Sequence, residues 1–109
     1  MSDSPYIAAK GTAPATTPTQ QNLAAQGSGC LDHMVIAPAS AEPLFLHLWD
    51  GVGASFSAST TKDTIPILDG TNLVVIGQRF PAGATWRITT DSAGNTGPAA
   101  AKAVSFRWR

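Results

Sequence analysis

Lys102-Ala103-Val104-Ser105-Phe106-Arg107-Trp108-Arg109 closes the chain with strict alternation: Val104, Phe106 and Trp108 are apolar, while Ser105, Arg107 and Arg109 are polar. A period of two places successive side chains on opposite faces of an extended strand, so this stretch reads as β with an apolar face inward and an arginine face toward solvent or a partner. Working back toward residue 30, the same period recurs in short runs separated by turn chemistry. Strands are expected at 31–37, 43–50, 64–68, 72–79, 84–90 and 102–109. Asp50-Gly51-Val52-Gly53 ends one strand, and Asp69-Gly70 and Pro81-Ala82-Gly83 supply the turn residues that reverse a chain tightly. Leu68 to Asn72 reads as a hairpin, and Pro81-Ala82-Gly83 as another turn. In 43–50 both faces have apolar content, Leu44, Leu46 and Leu48 against Phe45, His47 and Trp49, so one face is free to meet another subunit. Regular short strands with such turns specify an all-β fold, an antiparallel β-sandwich or jelly-roll-like barrel of about six strands.

Before Cys30 the character changes. Residues 1–29 are rich in Ala, Thr, Ser, Gln and Pro, with one lysine and one aspartate. Pro5, Pro14 and Pro18 favour extended or polyproline-like backbone. The chain therefore divides into an extended N-terminal arm, 1–29, and a β-sandwich domain, 30–109. Fully extended, such an arm reaches at most ~95 Å. Tyr6 and Ile7 form its bulky apolar pair and, with Leu23, are its candidate partner-binding residues. On this reading, deleting residues 2–29 removes partner binding and leaves a folded domain.

The 109 residues make room for one domain, and charged residues are 13% of them against a usual share of about 25%. A surface so neutral suits contact with protein. The formal net charge is zero, but its distribution is uneven. Residues 1–69 hold two lysines and six carboxylates, and residues 70–109 hold five cations and Asp91 alone. The halves can meet head to tail across subunits or interleave within one domain. No strongly basic run marks a nucleic-acid footprint. A single cysteine, Cys30, excludes an internal disulfide framework and fits a reducing compartment. No apolar run approaches the ~20 residues of a membrane span, and no signal-peptide pattern or glycosylation sequon is found. A product of the cytoplasm is expected, with neither nucleic acid nor membrane as its partner.

Cys30, His33 and His47 are zinc-ligand types, but a structural site needs four ligands at recognisable spacings, so no metal or other cofactor is expected. No Gly-x-Ser-x-Gly elbow accompanies the histidines, Asp63 and Asp69 lie beside turns where aspartate bonds locally, and no phosphate-binding glycine loop occurs. No catalytic residue is assigned, and the chain is not expected to be an enzyme. Trp49, Trp86, Trp108 and Phe45 raise a sugar-stacking reading. Trp86 and Trp108 share the alternation of Ile88, Val104 and Phe106 and belong to a core. Trp49, at a strand end before Asp50-Gly51, is the candidate exposed aromatic for a ligand or interface.

From Pro43 onward, the order Leu-Phe-Leu-His-Leu-Trp-Asp-Gly (44–51), Ile65-Pro66-Ile67, Arg79-Phe80-Pro81-Ala82-Gly83-Ala84-Thr85-Trp86-Arg87-Ile88-Thr89-Thr90-Asp91 and a short last strand resembles small β-sandwich virion proteins of tailed bacteriophages. The likeness rests on order and composition over about sixty percent of the chain. It implies a structural virion protein, most like a capsid decoration (cement) protein on the capsid exterior, made in the host cytoplasm. Its partners would be the major capsid protein and itself, as a homotrimer or homodimer. A tail, fibre or head-completion accessory protein, with or without a carbohydrate-binding sandwich, is the alternative. Under the decoration reading, Tyr6, Ile7 and Leu23 anchor the arm, Arg107 and Arg109 meet acidic capsid surface, and Trp49 packs at a protomer junction.

Overall fold

A computed structural model describes residues 7–18, 21–22, 28–37, 39, 41–51 and 61–109. Among them the regular structure is entirely β: β1 (Ile7–Ala13), β2 (Gln21–Asn22), β3 (Gly29–Ala37), β4 (Leu44–Asp50), β5 (Asp63–Ile67), β6 (Leu73–Phe80), β7 (Ala84–Thr89) and β8 (Lys102–Trp108). The expected strands are all present, with ends shifted by one or two residues. They form two antiparallel sheets, ordered β1-β8-β3-β6 and β2-β7-β4-β5. The chain can be traced as one long hairpin that pairs β1 with β8, β2 with β7, β3 with β6 and β4 with β5. Wrapping this hairpin brings β3 beside β8 and β4 beside β7. The result is the strand order of a jelly roll.

Alternation explains which side chains fill the space between the sheets. Leu31, Met34, Ile36, Val74, Ile76, Phe80, Val104, Phe106 and Trp108 line one inner face, and Leu44, Leu46, Leu48, Ile67, Trp86 and Ile88 line the other. The layers meet through the Trp86 and Phe106 rings, whose centroids are 5.1 Å apart. Phe80 packs against Trp108 at 6.4 Å. Burial of these groups is the main stabilising term of so small a domain.

The structure revises the expected division at residue 29. Residues 7–13 are an edge strand paired with β8 from Ile7–Trp108 to Ala13–Lys102, and Ala9 and Ala13 are buried in the core. Gln21 and Asn22 pair with Trp86 and Thr85. The reason is small-residue packing: a Cβ on Gly11 would stand 2.7 Å from Trp86 Cζ2, so an Ala/Gly-rich strand covers the indole closely where a bulkier one could not. Beyond β1, Thr16 accepts from Gly97 N at 2.8 Å and donates its own N–H to Pro98 O at 2.9 Å, tying the segment to the loop before β8.

The hairpin expected at 68–72 is also revised. Residues 68–72 lead from β5 in one sheet to β6 in the other, and residues 81–83 lead from β6 back to β7. Their turn chemistry reverses the chain without joining hydrogen-bonded neighbours. Pro66 is accommodated because β5 is an edge strand, where a missing N–H breaks no ladder.

Candidate interaction surface

The outer faces of the two sheets differ. On the β2-β7-β4-β5 sheet, His47 lies between Arg87 and Thr64 in register, and His47, Trp49, Thr85 and Thr89 are each at most 1% exposed. The loop after β7 folds over this face: Asp91 Oδ1 accepts from Asn95 N (2.9 Å) and Thr96 N (3.0 Å), and Gly94 O accepts from Arg87 Nη1 (2.7 Å). The Arg87 guanidinium stands 5.7 Å from the Trp49 ring centre, and the His47 ring stacks beside Trp49 at 6.2 Å. Trp49 is therefore not the exposed aromatic expected from its place at a strand end, and no surface is left on it for a protomer junction. Trp86 and Trp108 are each 2% exposed, so no tryptophan of the chain offers a sugar-stacking platform.

The β1-β8-β3-β6 sheet has the open face. The registers align its outward residues in transverse rows: Thr12, Ala103 and Ala37; then Lys10, Ser105, Val35 and Leu73; then Ala8, Arg107, His33 and Val75. A last row joins Arg109, Cys30 and Arg79, since Cys30 and Arg109 exchange backbone hydrogen bonds of 2.7 and 3.0 Å and Cys30 pairs with Arg79. Lys10, Arg79 and Arg109 are exposed and Arg107 is half-buried. Arg107 Nη1 donates to Ser105 Oγ at 2.6 Å, which lays the guanidinium along the strand toward the Lys10 row. An open depression of about 230 Å³ lies between Lys10, Val35, Ala37, Ala103, Val104 and Ser105.

Four cations thus share one face. Asp32 lies in the bulge between Leu31 and His33 and is paired with His33 Nδ1 at 2.7 Å. Other carboxylates are engaged elsewhere: Glu42 by Ala99 N and Lys102, Asp50 by Ala82 N, Asp63 by Gln78 and Thr64 N. The charge asymmetry of the sequence survives in the fold as a basic sheet face, joined by Lys10 from the acidic half.

Of the six residues expected to bind a partner, Arg107 and Arg109 lie on this face. Ile7 begins β1, opposite Trp108. Tyr6 and Leu23 lie outside the described residues. Sequence reasoning missed Lys10, assigned to an arm, and Arg79, although the alternation Leu73, Val75, Arg79 contained the signal. Among the described residues no group of three or more His, Cys, Asp or Glu is placed to hold a metal ion. No protein family, curated protein or solved structure matches the chain.

Proposed function

We propose that this chain is a structural virion protein that binds the outside of a phage capsid and clamps neighbouring major capsid subunits, with the β1-β8-β3-β6 face as its contact surface. The observation that carries the reading is the gathering of Lys10, Arg79, Arg107 and Arg109 on one open sheet face. Arginine suits this task because its planar fork binds carboxylates in pairs and is weakly hydrated, so it tolerates the partial desolvation of an interface. Ala8, Val35, Ala37 and Ala103 between the cations keep the face low enough for close approach. A jelly roll occurs in capsid proteins, lectins and cupins alike, so the fold is compatible with this role and does not select it. Clamping requires no chemistry: many weak contacts repeated over a shell hold it by avidity.

The experiment is co-sedimentation of the purified chain with capsids assembled without it, over a series of salt concentrations. Binding that weakens as salt rises, and is lost in the Arg79→Glu/Arg107→Glu variant, is the expected result. Salt-independent binding, or binding retained by the variant, removes the basic face from the interface. No binding by the wild-type chain overturns the capsid reading and moves the search to tail and fibre components.

A further inference from the structure

The sheet ends at β6, which is hydrogen-bonded to β3 on one side. Ile36 N donates to Asn72 O at 2.9 Å. Antiparallel alternation then makes Met34 and Val74 the next hydrogen-bonded pair, so the N–H and C=O groups of Leu73 and Val75 point away from β3 to the free edge. The side chains there are apolar as well. Leu68, Leu73 and Val75 are 70%, 52% and 74% exposed, and they are the exposed large hydrophobics of the described residues. Edge strands are commonly blunted by proline, lysine or a bulge. β5 has Pro66 and β1 has Lys10, but Leu73 to Ile76 is a regular apolar run, and the irregularity at Gly77, with φ of 60°, comes only after it.

We propose that β6 pairs antiparallel with β6 of a second copy of this chain, about a two-fold axis at Val74, joining two four-stranded sheets into one of eight strands. In this register Leu73 of each copy stands opposite Val75 of the other, and each such pair exchanges both backbone hydrogen bonds. Charge selects the orientation. Asp69 precedes the strand and Arg79 lies near its far end, and neither makes an ion pair among the described residues. Antiparallel pairing brings the Asp69 turn of one copy to the Arg79 end of the other, whereas parallel pairing sets like charge against like. The contact is isologous, so it closes at two copies instead of growing into a fibre. The Gly77 kink ends the regular pairing after Val75 and Ile76. Such an axis runs perpendicular to the sheet and leaves both basic faces on the same side. That bivalency serves the capsid reading, but the dimer itself does not depend on it.

The test is the mass of the full chain in solution, by light scattering on a sizing column and by sedimentation velocity, with no capsid present. The wild-type chain is expected at twice 11.2 kDa. Val75→Lys is expected at the monomer mass with an unchanged far-UV circular dichroism spectrum. Asp69→Arg is expected to weaken the dimer, and Asp69→Arg/Arg79→Asp to restore it. A wild-type monomer, a trimer, or a dimer indifferent to both Val75→Lys and the charge exchange overturns the proposal. If Val75→Lys does not fold, the charge exchange decides alone.

Discussion

His47 Nε2 lies 2.7 Å from Thr89 Oγ1, a buried contact between residues on neighbouring strands β4 and β7. The Thr89 hydroxyl has one proton and donates it to Asp91 O at 2.6 Å. His47 must therefore be the donor, with its hydrogen on Nε2. Its other ring nitrogen, Nδ1, lies 3.4 Å from Thr64 Oγ1. The hydrogen on Nε2 is thus fixed in place beneath the loop after β7. Burial first, and then the neighbouring Arg87 charge, hold its pKa below the ordinary 6.5, with the Asp91 carbonyl and carboxylate opposing them.

Acidification should loosen the fold in two stages. A histidine whose folded pKa is depressed takes up its proton more readily when unfolded, so its contribution is complete above about pH 6.5 and declines as pH falls below that value. The Asp91 carboxyl is held below its ordinary 3.8, chiefly by the Thr96 N–H and further by Asn95. Its contribution is present above that value and is lost as pH falls through the lower folded pKa. Melting temperature against pH should therefore fall from pH 6.5 downward in the wild-type chain. In His47→Gln the decline between pH 6.5 and 5 should disappear. A flat wild-type profile over that interval contradicts the buried neutral imidazole.

Gly11 shows that β1 belongs to the fold. A methyl group there meets Trp86 Cζ2 at 2.7 Å and has Trp86 Cη2 and Gln21 Oε1 within 3.6 Å. Gly11→Ala is expected to cost about 1–3 kcal/mol by overpacking, read as a lower denaturant midpoint. Deleting residues 2–29 removes β1 and β2 and uncovers Trp86 and the β8 edge. Loss of cooperative unfolding is expected, in place of the folded domain that the arm reading implied. A truncated chain that melts cooperatively at the wild-type temperature would sink this assignment.

Phe106 is the hinge of the core, fully buried and packed on Trp86 across the layer. Phe106→Ala should lower stability by about 3–5 kcal/mol, a large part of the ~5–15 kcal/mol that holds an ordinary domain together. Equilibrium urea unfolding measures it. A loss under about 1 kcal/mol would mean that the sheets do not meet at this pair.

Much of the fold was legible because alternation is local. Val104, Phe106 and Trp108 lie inward and Ser105, Arg107 and Arg109 outward as the last strand's period requires, and Trp86 and Trp108 are core residues. Pairing is not local. Asp69-Gly70 and Pro81-Ala82-Gly83 specify a reversal of direction, but the choice between a hairpin and a crossing between sheets is made by strands dozens of residues away. β1 escaped because Ala8, Ala9, Gly11 and Ala13 resemble a linker in composition. The small size of Gly11 becomes a packing requirement only once Trp86 lies beneath it. Trp49 was misplaced for the converse reason: its strand-end position is exposed in isolation and is covered by Arg87, held from Gly94 in a loop remote in sequence. The basic face needed both kinds of information, since Arg107 and Arg109 follow from alternation while Lys10 and Arg79 join them only through the register of β1 and β6.

The most direct measurement is electron cryo-microscopy of capsids assembled without this chain and then saturated with it. Regular added density is expected, in which the β1-β8-β3-β6 face, with Lys10, Arg79, Arg107 and Arg109, lies against acidic residues at junctions between major capsid subunits. Density with that face turned to solvent, or particles left bare by the wild-type chain, would contradict it.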